Sequence, residues 1–359
     1  GTAALAVVAP IWNIIYSLGL LMGIGGSVIY SLIKGQAESS GQREYQYFST
    51  AVIGSFILAA VSWAVIVFFD SELLTFFGAE GNLLPLAKAY MIPIKFVLPC
   101  FLFTQMLAAF LRNDNNPTLA TLGTLSGGVF NIFGDYIFVF VFDMGIFGAG
   151  LATAIGAVIS LVVMLTHFFS KKNSLVFVRP ENFFSKFGRI TVTGFSTFFI
   201  DIAMGILTIL FNRQIMKYLG TNALSVYGII VNISTFVQCC AYSVGQAAQP
   251  ILSVNYGAKA GQRIRKTLRY ALYSAGFFSI LWTLLSLLIP NVFVKIFMTP
   301  TTEILDIAPA IIRCYGLSFL LLPLNIFSTY YFQALMKPRA SFLVSVSRGL
   351  IISGILITI

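Results

Sequence analysis

Ten times along its length the chain presents an apolar stretch about 20 residues long or longer, and no other feature limits its possible folds so severely. The stretches cover residues 3–33, 46–69, 83–111, 117–142, 146–170, 187–212, 222–255, 267–294, 306–335 and 340–359. At a rise of about 1.5 Å per residue, a helix of that length crosses a hydrocarbon core about 30 Å thick. A strand would need strict apolar–polar alternation to line a barrel, and the stretches do not alternate. The reading is therefore an all-α polytopic membrane protein. Composition agrees: 9% of residues are charged and 58% hydrophobic, where soluble domains carry about 25% charge. The segments between stretches are short and leave no room for a separate soluble domain.

Lys and Arg collect in alternate connections, which sets the orientation. One set holds Lys34, Arg43, Arg112, Lys171, Lys172, Arg179, Lys186, Arg189, Lys259, Arg263, Arg265, Lys266, Arg269, Lys337 and Arg339; the other holds little beyond Lys88, Arg213, Lys217 and Lys295. The first set is assigned to the cytoplasm. The net charge of +10 is then mostly this bias, together with affinity for anionic headgroups. A nucleic-acid partner is not expected, because no basic surface is large enough or interleaved with exposed aromatics.

The chain also repeats itself. Gly1 to Asn13 (GTAALAVVAPIWN) resembles Gly220 to Asn232 (GTNALSVYGIIVN), and Gly41-Gln42-Arg43 has its echo in Gly261-Gln262-Arg263. A second echo pairs the turn at Pro117 with the turn at Pro338. An even number of spans separates equivalent points, so the halves share an orientation about an axis along the membrane normal. The expected organisation is an N-terminal bundle over residues 1–180 and a C-terminal bundle over 181–359, two parallel repeats around a central cleft. Completing six spans per half requires one further span before Gly1 and one after Ile359, twelve in all, of which ten are present here.

Within this apolar chain the buried acids are the informative residues. Asp135 has only small and apolar neighbours for a turn on either side, apart from Asn131 and Tyr136. An ionised Asp at mid-membrane depth costs about 2.5–3.5 kcal/mol on insertion scales, so it needs a partner or a water-filled cavity. Asn131, four residues earlier, shares its helical face. Thr153 on the next span lies at a similar depth from the outer side, about 10 Å in. Carboxylate, amide and hydroxyl oxygens suit Na⁺, and the carboxylate could instead take up H⁺.

Several motifs together resemble the multidrug and toxic compound extrusion (MATE) family. They are Asn116-Pro117, Asn131, Asp135, Gly148-Ala149-Gly150-Leu151-Ala152-Thr153, Gly245-Gln246-Ala247-Ala248-Gln249-Pro250-Ile251, Asn255-Tyr256-Gly257-Ala258 and Arg263. The resemblance covers essentially the whole chain, without the first and last helices. It implies a cation site in the N-terminal half using Asn131, Asp135 and Thr153, with a further Asp from the helix ahead of Gly1. It places Asp201 where one branch of the family carries an acid in its C-terminal half. Asn325 stands near that branch's second carboxylate, a departure from its pattern. The function implied is an antiporter of the plasma (inner) membrane, expected as a monomer. It would export small amphipathic cationic drugs or metabolites in exchange for Na⁺ or H⁺, with no cofactor beyond the coupling ion.

Other residues take plainer readings. Gly19, Gly23, Gly25 and Gly26 give small faces for close helix packing. Lys95, between Pro93 and Pro99, either snorkels, pairs with an acid or joins transport. His167 reads as an interfacial residue beside Lys171. Cys100, Cys239, Cys240 and Cys314 have no metal or disulfide spacing. The cleft is expected to draw on Tyr136, Asn232, Gln238 and Asn325, and on aromatics such as Phe138, Phe198, Phe199, Tyr227, Phe236, Tyr330 and Tyr331; Asn13 and Gln246 fit helix glue as well as a pocket. The same architecture also suits a lipid-linked or oligosaccharide flippase, but few basic residues lie inside spans, mainly Lys95, Arg313 and Arg348. A membrane-embedded enzyme would need a catalytic constellation that the sequence lacks.

Overall fold

A computed structural model describes residues 2–36, 43–77, 79, 81, 83–298 and 300–358. The first helices are α1 (Thr2–Gly35), α2 (Arg43–Phe68), the short α3 (Asp70–Phe76), α4 (Leu83–Asn113) and α5 (Pro117–Asp135). α5 passes directly into a π-helical turn, Tyr136–Val141, before α6 (Gly145–Leu165) and a 3₁₀ turn, Thr166–Phe169. Then follow α7 (Phe183–Tyr218), α8 (Gly220–Gly257), α9 (Gly261–Leu288), α10 (Pro290–Phe297), α11 (Thr302–Gly316), α12 (Leu322–Ala334), α13 (Pro338–Val346), a π-helical segment Ser347–Ile352 and α14 (Ser353–Thr358). Among the described residues nine helices are long and apolar enough to cross a membrane, and they match the first nine apolar stretches. The tenth stretch is helical from Pro338 to Thr358, but its middle is π-helical and contains Arg348.

By packing, the chain forms two compact units, Gly1–Asp201 and Ile202–Ile359. In the first, α1 packs chiefly on α4, where Gly19 lies under the Leu102 carbonyl and Gly23 against the Met106 backbone. A Cβ at Gly19 would come within 2.6 Å of that carbonyl oxygen, so only glycine permits the approach. The apolar core there joins Val8, Ile11 and Ile15 of α1 to Ile94, Leu98 and Leu102 of α4. In the second unit α8 packs chiefly on α12, and Ile230, Ile233 and Val237 of α8 share a core with Ile304, Ala308 and Ile312 of α11.

The repeat read from the sequence is visible element by element. Pro117 and Pro338 each stand at the first position of a helix, where the missing N–H costs nothing. Two residues ahead of each, Asn115 (φ 58°) and Met336 (φ 53°) are left-handed. The short helices α3 and α10 hold corresponding places. α4, which carries Pro93 and Pro99 without breaking, corresponds to α11 and α12, which a 3₁₀ turn at Leu317–Leu320 divides. The turn Gly41-Gln42-Arg43 lies partly outside the described residues.

Candidate functional site

Three helices of the first unit converge because glycines remove the side chains between them. α5 meets α6 where Gly127 faces the backbone of Gly156 and the Ser160 hydroxyl, and α6 meets α4 where Gly150 sits against the Tyr90 carbonyl. No Cβ fits at either place without backbone movement. One turn beyond Gly150 stands Thr153, and one turn beyond Gly127 stands Asn131, followed by Asp135.

The Thr153 hydroxyl donates to the Ala149 carbonyl at 2.9 Å, as a helical Thr commonly does. Its oxygen is then free to accept, and does so from the Asn131 amide at 3.1 Å and from the Tyr90 hydroxyl at 3.3 Å. Tyr90 in turn accepts from the Trp12 indole of α1. The Thr153 and Tyr90 hydroxyls are thereby committed, together with one N–H of the Asn131 amide. The Asp135 carboxyl stands beside them with Oδ1 buried and no hydrogen-bond partner among the described residues. Among those residues no Lys, Arg or His forms an ion pair with it. Immediately after it the helix widens into the π-turn, with the Phe142 N–H donating to Ile137 five residues back; such turns occur often at functional sites.

A carboxylate oxygen without a donor, next to the Asn131 amide oxygen and the Thr153 and Tyr90 hydroxyls, is a hard-oxygen set suited to Na⁺ or to a proton. Asn131 and Thr153 are thus bonded to each other, with Asp135 one turn beyond Asn131 on the same helix. Tyr90 and Trp12 were missed: one is an aromatic among many, and only the α4–α6 crossing at Gly150 puts it within reach. Asp201 of α7 has a different neighbourhood; its Oδ2 accepts from the Ser17 hydroxyl of α1 at 2.7 Å. Tyr136 is 63% exposed and packs on Phe140. Asn232 is exposed, and its amide donates to the Gly228 carbonyl of its own helix. Gln238 and Asn325 are half-buried, while Tyr330 is a buried core residue under Gly245.

A second polar cluster lies at the other end of the same unit, and here the reading of His167 is corrected. His167 is 0% exposed, as is Asp114, and its Nε2 donates to Asp114 Oδ2 at 2.8 Å. With Nε2 donating, Nδ1 accepts from the Asn116 amide at 3.1 Å, so a neutral imidazole satisfies both partners. Asp114 also accepts from the Ser174 N–H at 2.8 Å, from the Ser174 hydroxyl, and from Lys34 at 3.1 Å. Burial pushes the Asp114 carboxyl up, but the Ser174 and His167 hydrogen bonds and the Lys34 charge outweigh it and hold the group below the ordinary carboxylate value. The sequence shows Asp114 only as one residue of a polar turn; the fold closes that turn over the 3₁₀ end of α6.

Near α3, Lys95 resolves to an ion pair with Asp70 at 2.6 Å, with Lys88 at 3.4 Å from the same carboxylate. Burial raises the Asp70 carboxyl, and hydrogen bonds from Lys95 and Ser71 with the two lysine charges bring it below its ordinary value.

Comparison with known proteins agrees with this architecture. The family model MatE matches residues 1–137 and 197–357. The multidrug export protein MepA of Staphylococcus saprophyticus is 27% identical over 258 residues, covering 71% of this chain and 56% of that protein. MepA of Staphylococcus aureus is 24% identical over 358 residues, 99% of this chain and 78% of the relative. Among solved structures, the MATE multidrug transporter DinF-BH aligns with a TM-score of 0.87 at 25% identity, covering 98% of this chain and 78% of that one. A MOP superfamily transporter from Pyrococcus furiosus, whose binding pocket is described as of reverse polarity, aligns with a TM-score of 0.90 at 19% identity over 99% of this chain and 80% of that one.

Proposed function

The chain belongs to the MatE family, and from that premise we propose that it works as a multidrug efflux antiporter of the plasma membrane, with Asp135 as the coupling group. The observation that carries this reading is the buried Asp135 Oδ1, which no donor among the described residues serves, while the Thr153 and Tyr90 hydroxyls beside it bond elsewhere. A small cation, Na⁺ or H⁺, answers the carboxylate's need for a positive partner, with the Asn131 carbonyl and the Tyr90 hydroxyl as supporting oxygens, joined by the Thr153 hydroxyl once the Asn131 amide turns away from it. Binding neutralises a charge that is costly in the apolar bundle, so it favours whichever arrangement of α4, α5 and α6 keeps the carboxyl enclosed. Substrate favours the other arrangement, and export is tied to cation entry. A membrane potential of 100 mV supplies about 2.3 kcal/mol for each charge carried fully across.

The exported compounds are proposed to be amphipathic organic cations. Likeness of fold leaves that sign open, and the relative whose pocket is of reverse polarity shows why it needs a direct test. Full-length protein is expressed in cells loaded with a fluorescent cation or, separately, a fluorescent anion, under imposed Na⁺ or pH gradients. Wild type should export the cation under one gradient, and Asp135→Asn should reduce export to background. Full export by the variant under both gradients would remove Asp135 from the mechanism, and export of the anion alone would overturn the substrate class.

A further inference from the structure

The cytoplasmic part of α9 carries a feature that the transport reading leaves unused. Gln262, Arg265, Lys266, Arg269, Tyr270 and Tyr273 follow at intervals of three and four, share one face, and line a concave surface of about 470 Å³. All six are exposed. α9 contains no Asp or Glu, and none of its basic side chains makes an ion pair among the described residues. In the first unit several basic groups are engaged: Lys34 with Asp114, Lys88 and Lys95 with Asp70, Arg189 with the Tyr47 hydroxyl at 2.7 Å.

The same face changes character with depth. Basic residues come first, then Tyr270 and Tyr273, then exposed Phe277, Ile280, Leu284 and Leu288 at the same helical spacing. From Arg269 to Tyr273 the helix rises about 6 Å, comparable to the headgroup layer on each side of the hydrocarbon core. Guanidinium groups pair bidentately with phosphate oxygens, tyrosine hydroxyls suit the ester level, and the apolar run below matches acyl chains. The counterpart helix α2 likewise turns an apolar face outward through Phe56, Val61 and Phe68, so this position faces lipid in both halves.

We propose that the cytoplasmic third of α9 is a binding site for an anionic phospholipid, its phosphate held by Arg265, Lys266 and Arg269 and its acyl chains laid along Phe277, Ile280 and Leu284. The site is built from side chains on one face, and its ligand is a lipid rather than a transported substrate.

The test uses purified full-length protein in neutral detergent. Thermal unfolding is followed while phosphatidylglycerol, phosphatidylcholine or inorganic phosphate is added. Phosphatidylglycerol should raise the melting temperature of wild type well beyond phosphatidylcholine. The combined variant R265Q/K266Q/R269Q should weaken that response about a hundredfold in lipid concentration, from about fivefold per charge. A control, K171Q/K172Q/R179Q, should leave it unchanged. Equal loss in both variants would mean diffuse surface attraction and overturn the site, and equal protection by inorganic phosphate would overturn the lipid assignment. Should the α9 variant fail to fold, a phosphatidylglycerol with a photoreactive headgroup is applied to wild type. Labelling within residues 262–273 supports the site; labelling spread over all cytoplasmic loops refutes it.

Discussion

Asp114 and Asp135 are two half- to fully enclosed carboxylates of one helical unit, and they are opposites. Asp114 receives donors from His167, Ser174 and Lys34, gathered from α1, the end of α6 and the segment after it. Asp135 keeps an oxygen that no described residue serves. A carboxylate whose lone pairs are filled by the protein is a joint: its charge is spent on holding elements together. One whose neighbours bond among themselves contributes little to the fold, and its charge remains available to something that comes and goes. The lesson is that burial alone does not mark function; the state of the partners does.

The contrast can be broken most forcefully on stability. Asp114→Ala leaves the buried His167 and half-buried Ser174 donors without an acceptor, at about 1–3 kcal/mol each, read as a large fall in melting temperature and yield of the full-length protein. A loss within experimental scatter would deny Asp114 its role as a joint. Next in size, Gly150→Val forces a side chain into the Tyr90 carbonyl and should cost about 1–3 kcal/mol. It should also lower cation-driven export by moving Thr153 off Asn131, and intact export with lowered stability would separate the crossing from the site. Asp135→Asn should change stability by no more than about 1 kcal/mol while abolishing export; a destabilisation matching that of Asp114→Ala would erase the distinction. Lys34→Gln, losing a half-exposed partner of Asp114, should cost under about 1 kcal/mol.

The smallest expected effect is that of pH on the joint. Because the folded Asp114 group titrates below its ordinary value of 3.8, its contribution is complete above that value and is lost only as pH falls through the lower folded one. Melting temperature should therefore show no step from Asp114 at any pH above 3.8. A step there that vanishes in Asp114→Asn would contradict the assignment.

How much of this was legible beforehand follows from the scale of each feature. Spans, orientation and repeat are written in long runs of apolar residues and in loop charge, and Pro117 and Pro338 sit in the structure as the repeat required. Asn131 and Asp135 could be paired because a helix relates residues four apart by geometry alone. Tyr90 and Trp12 could not be, since their place depends on which faces of α1, α4 and α6 meet, and that is settled by single glycines such as Gly150. His167 was misplaced for a related reason: its partner lies in a turn whose closure over the end of α6 has no local sequence signature. The π-turn after Asp135 was also invisible, because YIFVFV is as apolar as any other part of a span.

That turn has a mechanical consequence. A π-turn holds one residue more than the α-helical winding has room for, so by the end of this helix at Val141 the side chains stand up to about 100° from where a regular helix would have set them. The surplus residue behaves as a dislocation does in a crystal: it can be handed along the coil by exchanging one main-chain bond at a time, turning the tip of the rod while its base stays still. Removing a single residue from Tyr136–Val141 is thus the unusual deletion that would repair a helix and, in repairing it, take away its swivel.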